Sequence, residues 1–307
     1  MTHETPVANR AADLALTALG PAVWGSTYLV TTELLPPGRP LLAATVRALP
    51  AGLALLAAGR TLPTGRWWWR ALVLGVVNIG AFFFLLFVAA YLLPGGVAAV
   101  ILTLQPVLVL VLAAVVLGDR IRLAQVVACV LGIGGVALLV LQPSARLDPV
   151  GVLAGLGGAV CMATGIVLTK RWGRPDGTSL LTFTGWQLAA GGLVLAPATL
   201  AVEGLPDRIS GANVAGFAYL GVVGALIAYA LWFRGLERLP ALAVSFLAFA
   251  SPLVATVLGY LFLDQSFTPW QAVGAATVVG AVVLAQQRIR PAPGTTRPLD
   301  LPVPREL

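Results

Sequence analysis

Ten apolar runs of about 20 residues, parted by short polar breaks, constrain this chain more than any other feature. They cover roughly 14–32, 41–58, 71–91, 94–117, 123–141, 150–169, 180–201, 212–233, 240–263 and 269–287. A bilayer core of about 30 Å takes about 20 apolar residues per helix. Only helices and closed barrels satisfy every backbone group in hydrocarbon. The breaks hold Pro, Gly and charge: PPGRP at 36–40, GRTLPTGR at 59–66, GDR at 118–120, KRWGRPDG at 170–177 and EGLPDR at 203–208. The expected fold class is all-α integral membrane, with ten transmembrane helices.

Composition agrees. Of 307 residues, 59% are hydrophobic and 10% charged, with a mean hydropathy of +0.93. A soluble domain carries about 25% charged residues, and a chain this apolar would have too little polar surface to cover itself in water. Disorder demands the opposite composition. Cys129 and Cys161 lie inside apolar runs, without disulfide or metal-ligand spacing. The one histidine, His3, is in the polar N-terminal tail. A net charge of +7 reads as basic cytoplasmic loops rather than nucleic-acid binding, because no soluble basic domain is present to carry the latter. The first run is too long for a signal peptide and lacks a convincing cleavage site.

The basic residues orient the chain. With the N-terminus inside and ten crossings, the inner segments hold 15 of the 19 Lys and Arg, from Arg10 to Arg305. The outer loops hold Arg39, Arg146 and Arg208. Arg47 falls within a span. That bias predicts a multi-pass protein of the cell (plasma) membrane with both termini cytoplasmic.

The chain also repeats itself. At an offset of 146, Gly75–Val77 meets Gly221–Val223, Pro94 meets Pro240, Pro106 meets Pro252 and Gln125 meets Gln271. At 137, Thr27 meets Thr164; at 140, Arg47 meets Gln187. Each copy holds five spans. An odd number inverts the second copy across the membrane, which is a recurring transporter architecture. The expected organisation is a cytoplasmic tail at 1–13, a first repeat at 14–142, a second at 150–287 and a disordered cytoplasmic tail at 288–307.

No enzyme motif survives inspection. GIGGVA at Gly132–Ala137 lies inside span 5 and follows no strand, so it reads as close helix packing through small residues. Gly151 and Gly155 read the same way. Pro106 and Pro252 stand mid-span at matched positions, each crowding the carbonyl four residues back, those of Leu102 and Ala248. They are the expected hinges. Polar neighbours stand close: Thr103 and Gln105 in span 4, Ser245 and Ser251 in span 9. Span 1 carries Trp24, Thr27 and Tyr28 near mid-depth, away from the interfacial belt where aromatic residues gather. Asn78 in span 3 and Tyr229 in span 8 are similar. Trp67, Trp68, Trp69, Trp172 and Trp270 sit at span ends and read as interfacial anchors.

Arg47 is the sharpest residue. It lies about seven residues into span 2, roughly 10 Å below the outer surface at about 1.5 Å per residue. A charge there is costly unless it faces protein or water. One reading is snorkelling to the outer headgroups; the other is that it borders an outward-facing cavity and meets cargo or the outer gate. No carboxylate lies deep in any span. Glu33 is the nearest candidate partner, and only if the outer loops fold back.

These segments resemble the drug/metabolite transporter superfamily, in particular its EamA-type ten-helix members. The resemblance rests on WGSTYLV in span 1, VRALPAGLALL in span 2, LPGGVAAV and QPVLVLVLAAVVLGDRI in span 4, WQLAAGGLVL in span 7 and LPALAVSFLAFASPLVATVLGYLFL in span 9. Within it, WGSTYLVTTELLPP and WWWR resemble the PecM-type exporter subgroup. Many relatives end spans 4 and 9 with LGE. Here LGD ends at Asp119 and LDQ carries Asp264.

The resemblance implies a central cavity lined mainly by spans 1, 3, 4, 6, 8 and 9. Its expected lining is Trp24, Thr27, Tyr28, Asn78, Thr103, Gln105, Thr164, Tyr229, Ser245 and Ser251, with Arg47 and Gln187 as the matched pair beside it. The implied function is secondary export of a small organic metabolite or drug-like compound by alternating access. The alternative is a channel or facilitator without coupling. No cofactor is implied. The expected partners are a small-molecule substrate and the lipid bilayer, with a homodimer as the candidate assembly and no nucleic acid.

Overall fold

The computed structural model describes residues 7–93, 95–140, 148–262 and 268–286. His3, Pro94, Arg146, Asp264 and the tail from Arg288 lie outside the described residues. Every regular element among the described residues is helical. Nine helices are long and apolar enough to cross a membrane. They form spans 2 to 10: Pro40–Gly59, Trp67–Leu92, Val97–Leu117, Leu123–Val140, Pro149–Trp172, Leu180–Glu203, Gly211–Arg238, Ala241–Phe262 and Pro269–Gln286.

Span 1 departs from the expected continuous run. It is two helices, Val7–Trp24 and Thr27–Leu34, parted at Gly25–Ser26. Pro21, inside the first helix, lacks a backbone donor. The Gly25 N–H is shared between the carbonyls of Pro21 and Ala22, and the Ser26 N–H turns to Val23 O. The Ser26 hydroxyl donates to that same Val23 carbonyl at 2.7 Å. A Cβ at residue 25 would stand 2.5 Å from the Ser251 carbonyl. Only glycine lets span 1 break against span 9.

Helix starts are capped by local chemistry. Asp148 accepts from Gly151 N–H at the head of span 6, and Ser179 caps span 7. Ser210 and Asn213 form a reciprocal capping box on span 8. Span 2 has Arg39 at its head and no cap of its own. Both Glu203 carboxylate oxygens fill that gap, accepting from Leu41 N–H at 2.7 Å and Leu42 N–H at 2.8 Å.

Packing follows a two-fold pattern. Spans 2 and 7 pack along each other, as do spans 5 and 10, while span 1 packs on span 8 and span 6 on span 3. Exchange of the two five-span halves returns the pairs 2–7 and 5–10 to themselves and turns 1–8 into 6–3. Glycines permit the close crossings, since lipid offers no hydrophobic drive between helices. A Cβ at Gly52 would stand 2.2 Å from Ala189 N, and one at Gly192 would stand 2.7 Å from Leu49 Cα. The GIGGVA segment packs likewise: Gly135 lies on the backbone of span 10, and Gly132 lies under the Phe249 ring.

Spans 3 and 8 each contain a π-helical turn, Val76–Gly80 and Val222–Ile227. The two starts are 146 residues apart, within the matched Gly-Val-Val segments. Spans 4 and 9 are each interrupted too, at 103–104 and 248–249, just before Pro106 and Pro252. At the Lys/Arg-rich end, Asp13 holds Arg234 at 2.7 Å and Arg238 at 3.3 Å, and Arg174 pairs with Glu237 at 2.5 Å. The Lys170 ammonium donates to Leu236 O nearby.

Candidate substrate cavity

A cavity of about 60 Å³ lies where the interrupted spans 1, 4 and 9 meet. Its polar wall is Trp24, Thr27, Tyr28, Arg47, Thr103, Gln105 and Ser251. Its apolar wall is Phe82, Leu86, Ala99, Leu102, Met162, Ala248 and Phe249, with both prolines, Pro106 and Pro252, beside them. A proline cannot bond the carbonyl four residues back. Those carbonyls belong to Leu102 and Ala248, and both residues line the cavity. The Ala248 oxygen takes the Ser251 N–H instead, at 3.0 Å. Thr103 turns its hydroxyl back to Val100 O at 2.5 Å.

The π-turn of span 8 supplies the anchor. Its widened turn directs the Gly224 carbonyl at two side chains from the other half. Trp24 Nε1 donates to it at 2.9 Å and Arg47 Nη2 at 3.1 Å. The Arg47 guanidinium lies over the Phe83 ring, with Cζ 4.4 Å from the centroid, a cation–π contact. Arg47 is 1% exposed, so the snorkelling reading is overturned: its fork points to span 8, not to headgroups. Glu33 is exposed beside Thr32 and does not serve as its partner.

Two of the guanidinium nitrogens, Nε and Nη1, are buried without a hydrogen-bond partner. So is Nε2 of Gln105 on the same cavity. No acidic side chain among the described residues lines the cavity. The described acids are engaged elsewhere or stand at span ends.

Five candidate residues stand outside this lining, and the expectation of one polar cavity holding them all is corrected. Asn78 Nδ2 donates to Gln187 Oε1 at 2.8 Å and to Thr169 Oγ1 at 3.2 Å. The Tyr229 hydroxyl donates to the Asn78 carbonyl at 3.3 Å. A Cβ at Gly165 would stand 1.8 Å from Asn78 Oδ1, so glycine alone leaves room for the amide. Asn78, Gln187 and Tyr229 thus tie spans 3, 6, 7 and 8 together. Ser245 is buried and bonds Leu242 O in its own helix at 2.7 Å. Thr164 is half-buried on span 6 and is not part of the lining.

Phe82, Leu86, Met162 and Phe249 also line the cavity, and no polar group singles them out in the sequence. Their only signal is position, since Phe82 and Leu86 share one face of span 3 at a spacing of four.

Residues 13–141 and 149–286 each match the EamA-like transporter family. The chain belongs to that family. It is 49% identical to Protein PecM of Dickeya dadantii (strain 3937) over 266 residues, covering 87% of this chain and 89% of PecM. It is 29% identical to the uncharacterized inner membrane transporter YedA of Escherichia coli (strain K12), over 85% of this chain and 86% of YedA. One solved crystal structure shares the fold with a TM-score of 0.75 at 21% identity, over 90% of this chain and 96% of its own. This EamA-family chain is therefore a multi-pass membrane protein of the drug/metabolite transporter superfamily.

Proposed function

We propose that the protein is a secondary transporter that exports a small organic solute across the cytoplasmic membrane by alternating access, with both termini in the cytoplasm. One observation carries this reading. A buried arginine with free donors borders a cavity set where three membrane helices are interrupted. Irregular backbone at membrane depth occurs where it is buried in protein or lines a water-filled cavity. An intramembrane ionisable side chain in such a place marks a solute path.

The cavity has room for only a few water molecules at about 10–15 Å³ each, so an organic solute enters only if the walls part. The interruptions at Gly25–Ser26, before Pro106 and before Pro252 are the places where three walls can bend. The two-fold packing supplies two halves to rock about the site. The Asp13–Arg234–Arg238 cluster joins spans 1 and 8 at the Lys/Arg-rich end, which suits a closed inner gate.

The test uses purified protein in liposomes bathed in a low-molecular-weight cell extract, with a proton or sodium gradient imposed. Mass spectrometry of the vesicle interior is expected to show at least one solute above its external concentration. Equilibration without accumulation would support the channel reading. No protein-dependent entry would contradict both.

A further inference from the structure

The donors around the cavity point to one class of cargo. Every buried side-chain polar atom on its wall that lacks a partner is an N–H: Arg47 Nε, Arg47 Nη1 and Gln105 Nε2. A buried donor left unpaired is costly, and a buried charge more so. The Gly224 carbonyl and the Phe83 ring solvate the Arg47 guanidinium without neutralising it. Nothing anionic among the described residues lines the cavity; the rest of the wall is the neutral hydroxyl side chains Thr27, Tyr28, Thr103 and Ser251 among apolar and aromatic ones.

We infer that the cavity binds an organic monocarboxylate that carries no ammonium group, its carboxylate on Arg47 and Gln105 and its apolar body against Trp24, Phe82 and Phe249. This rests on the reading of the cavity as the transport site. Nε and Nη1 lie on different edges of the guanidinium, so a carboxylate accepts from one of them together with the second hydrogen of Nη2 on that edge, and supplies the missing charge. A neutral amide supplies an acceptor but no charge. An α-amino acid brings an ammonium for which this wall has no carboxylate partner. A dianionic phosphate would meet one cation only.

One hydrogen bond of Arg47 positions the donors that remain. Trp24 and Arg47 Nη2 share the Gly224 carbonyl, which fixes the guanidinium plane and leaves the Nε and Nη1 donors unbonded. The fork is thereby held in one orientation before any solute arrives, which reduces the ordering cost of binding.

The experiment is equilibrium binding to purified full-length protein in lipid nanodiscs, without any gradient. The probes share one skeleton: 3-phenylpropanoate, 3-phenylpropanamide and phenylalanine. Calorimetry and a ligand-dependent rise in melting temperature are read for each. The wild type is expected to bind the carboxylate about tenfold or more tightly than the amide or the amino acid, the scale of one charge-assisted bond. Arg47→Gln is expected to lose that preference, and Arg47→Lys to keep part of it. Gln105→Leu, which adds no charge and keeps Arg47, is expected to weaken carboxylate binding several-fold and is the second variant should Arg47→Gln fold poorly.

Equal affinity for the three probes, no binding of the carboxylate, or an unchanged carboxylate preference in both Arg47→Gln and Gln105→Leu would overturn the inference. The transport reading is scored separately by loading the same probes into proteoliposomes. Carboxylate that binds but never crosses would uphold the site and contradict transport. Solutes of another class that cross, with no carboxylate preference, would do the reverse.

Discussion

Asn78 and Gln187 meet across spans 3 and 7, amide to amide, at 2.8 Å, and their repeat partners Gly224 and Arg47 meet at 3.1 Å across spans 8 and 2. The same crossing of a span over a π-turn is thus built twice. In one copy it is neutral, with Asn78, Thr169 and Tyr229 drawn together. In the other it is charged, with two donors left free beside a cavity. The two copies share a scaffold and differ in what they offer a solute.

The neutral copy is expected to act in stability. In membrane bundles a buried side-chain hydrogen bond contributes about 0.6 kcal/mol on average, up to about 1.7. A double-mutant cycle with Asn78→Ala and Gln187→Ala should give a coupling of about 1 kcal/mol, read from unfolding in mixed micelles. Gln187→Arg, which places a second charge at a fully buried position outside the cavity lining, should be far more destabilising than either. A coupling near zero would make the amide pair incidental.

Spans 2 and 7 should be the least forgiving interface. Gly52→Ala drives a methyl to 2.2 Å from the Ala189 backbone nitrogen, and overpacking of this kind costs about 1–3 kcal/mol. Gly134 has nothing within 4 Å of its built Cβ, so Gly134→Ala is the matched control and should leave melting unchanged. Equal melting temperatures for the two variants would contradict the close crossing.

Much of the fold was legible because the membrane demands it. Run length alone places the ends of spans 2 to 10 within a few residues, since each helix must clear the same hydrocarbon thickness. The break in span 1 was not legible: Gly25–Ser26 reads as an ordinary small-residue step until Ser251 is seen pressed against it. Of the site, Trp24, Thr27, Tyr28, Arg47, Thr103, Gln105 and Ser251 stood out because polar groups at depth are rare. Asn78, Gln187 and Tyr229 stood out for the same reason, yet they bond one another. Depth signals that a polar residue has a partner, not whether that partner is protein or solute. Met162 and Phe249 gave no signal, because an apolar wall looks like an apolar core. Glu203 could have been found from the missing cap at Arg39, whose helix start needed an acceptor from elsewhere.

The matched prolines should govern motion. Pro106→Ala and Pro252→Ala each restore a backbone donor toward the Leu102 or Ala248 carbonyl, straightening a cavity wall. Each should slow solute entry into proteoliposomes several-fold more than it lowers the amount of protein in the membrane. Wild-type rates in both would reduce the prolines to packing features.

Topology gives an independent test. Single cysteines at Arg208 should react with an impermeant reagent from outside intact cells, whereas cysteines at Arg66 and Arg174 should react only after permeabilisation. External labelling at Arg174 would contradict ten crossings with both ends inside.

A solute path past Arg47 can be read out in intact cells. The most direct measurement is an untargeted comparison of exported small molecules from cells carrying wild type, Arg47→Gln or no protein, normalised to protein in the membrane. Arg47→Gln removes a buried charge and should insert normally. The solutes raised in the medium by wild type should fall at least about tenfold, toward the level without the protein, when the charge-assisted contact is gone. Undiminished export by Arg47→Gln would contradict the account.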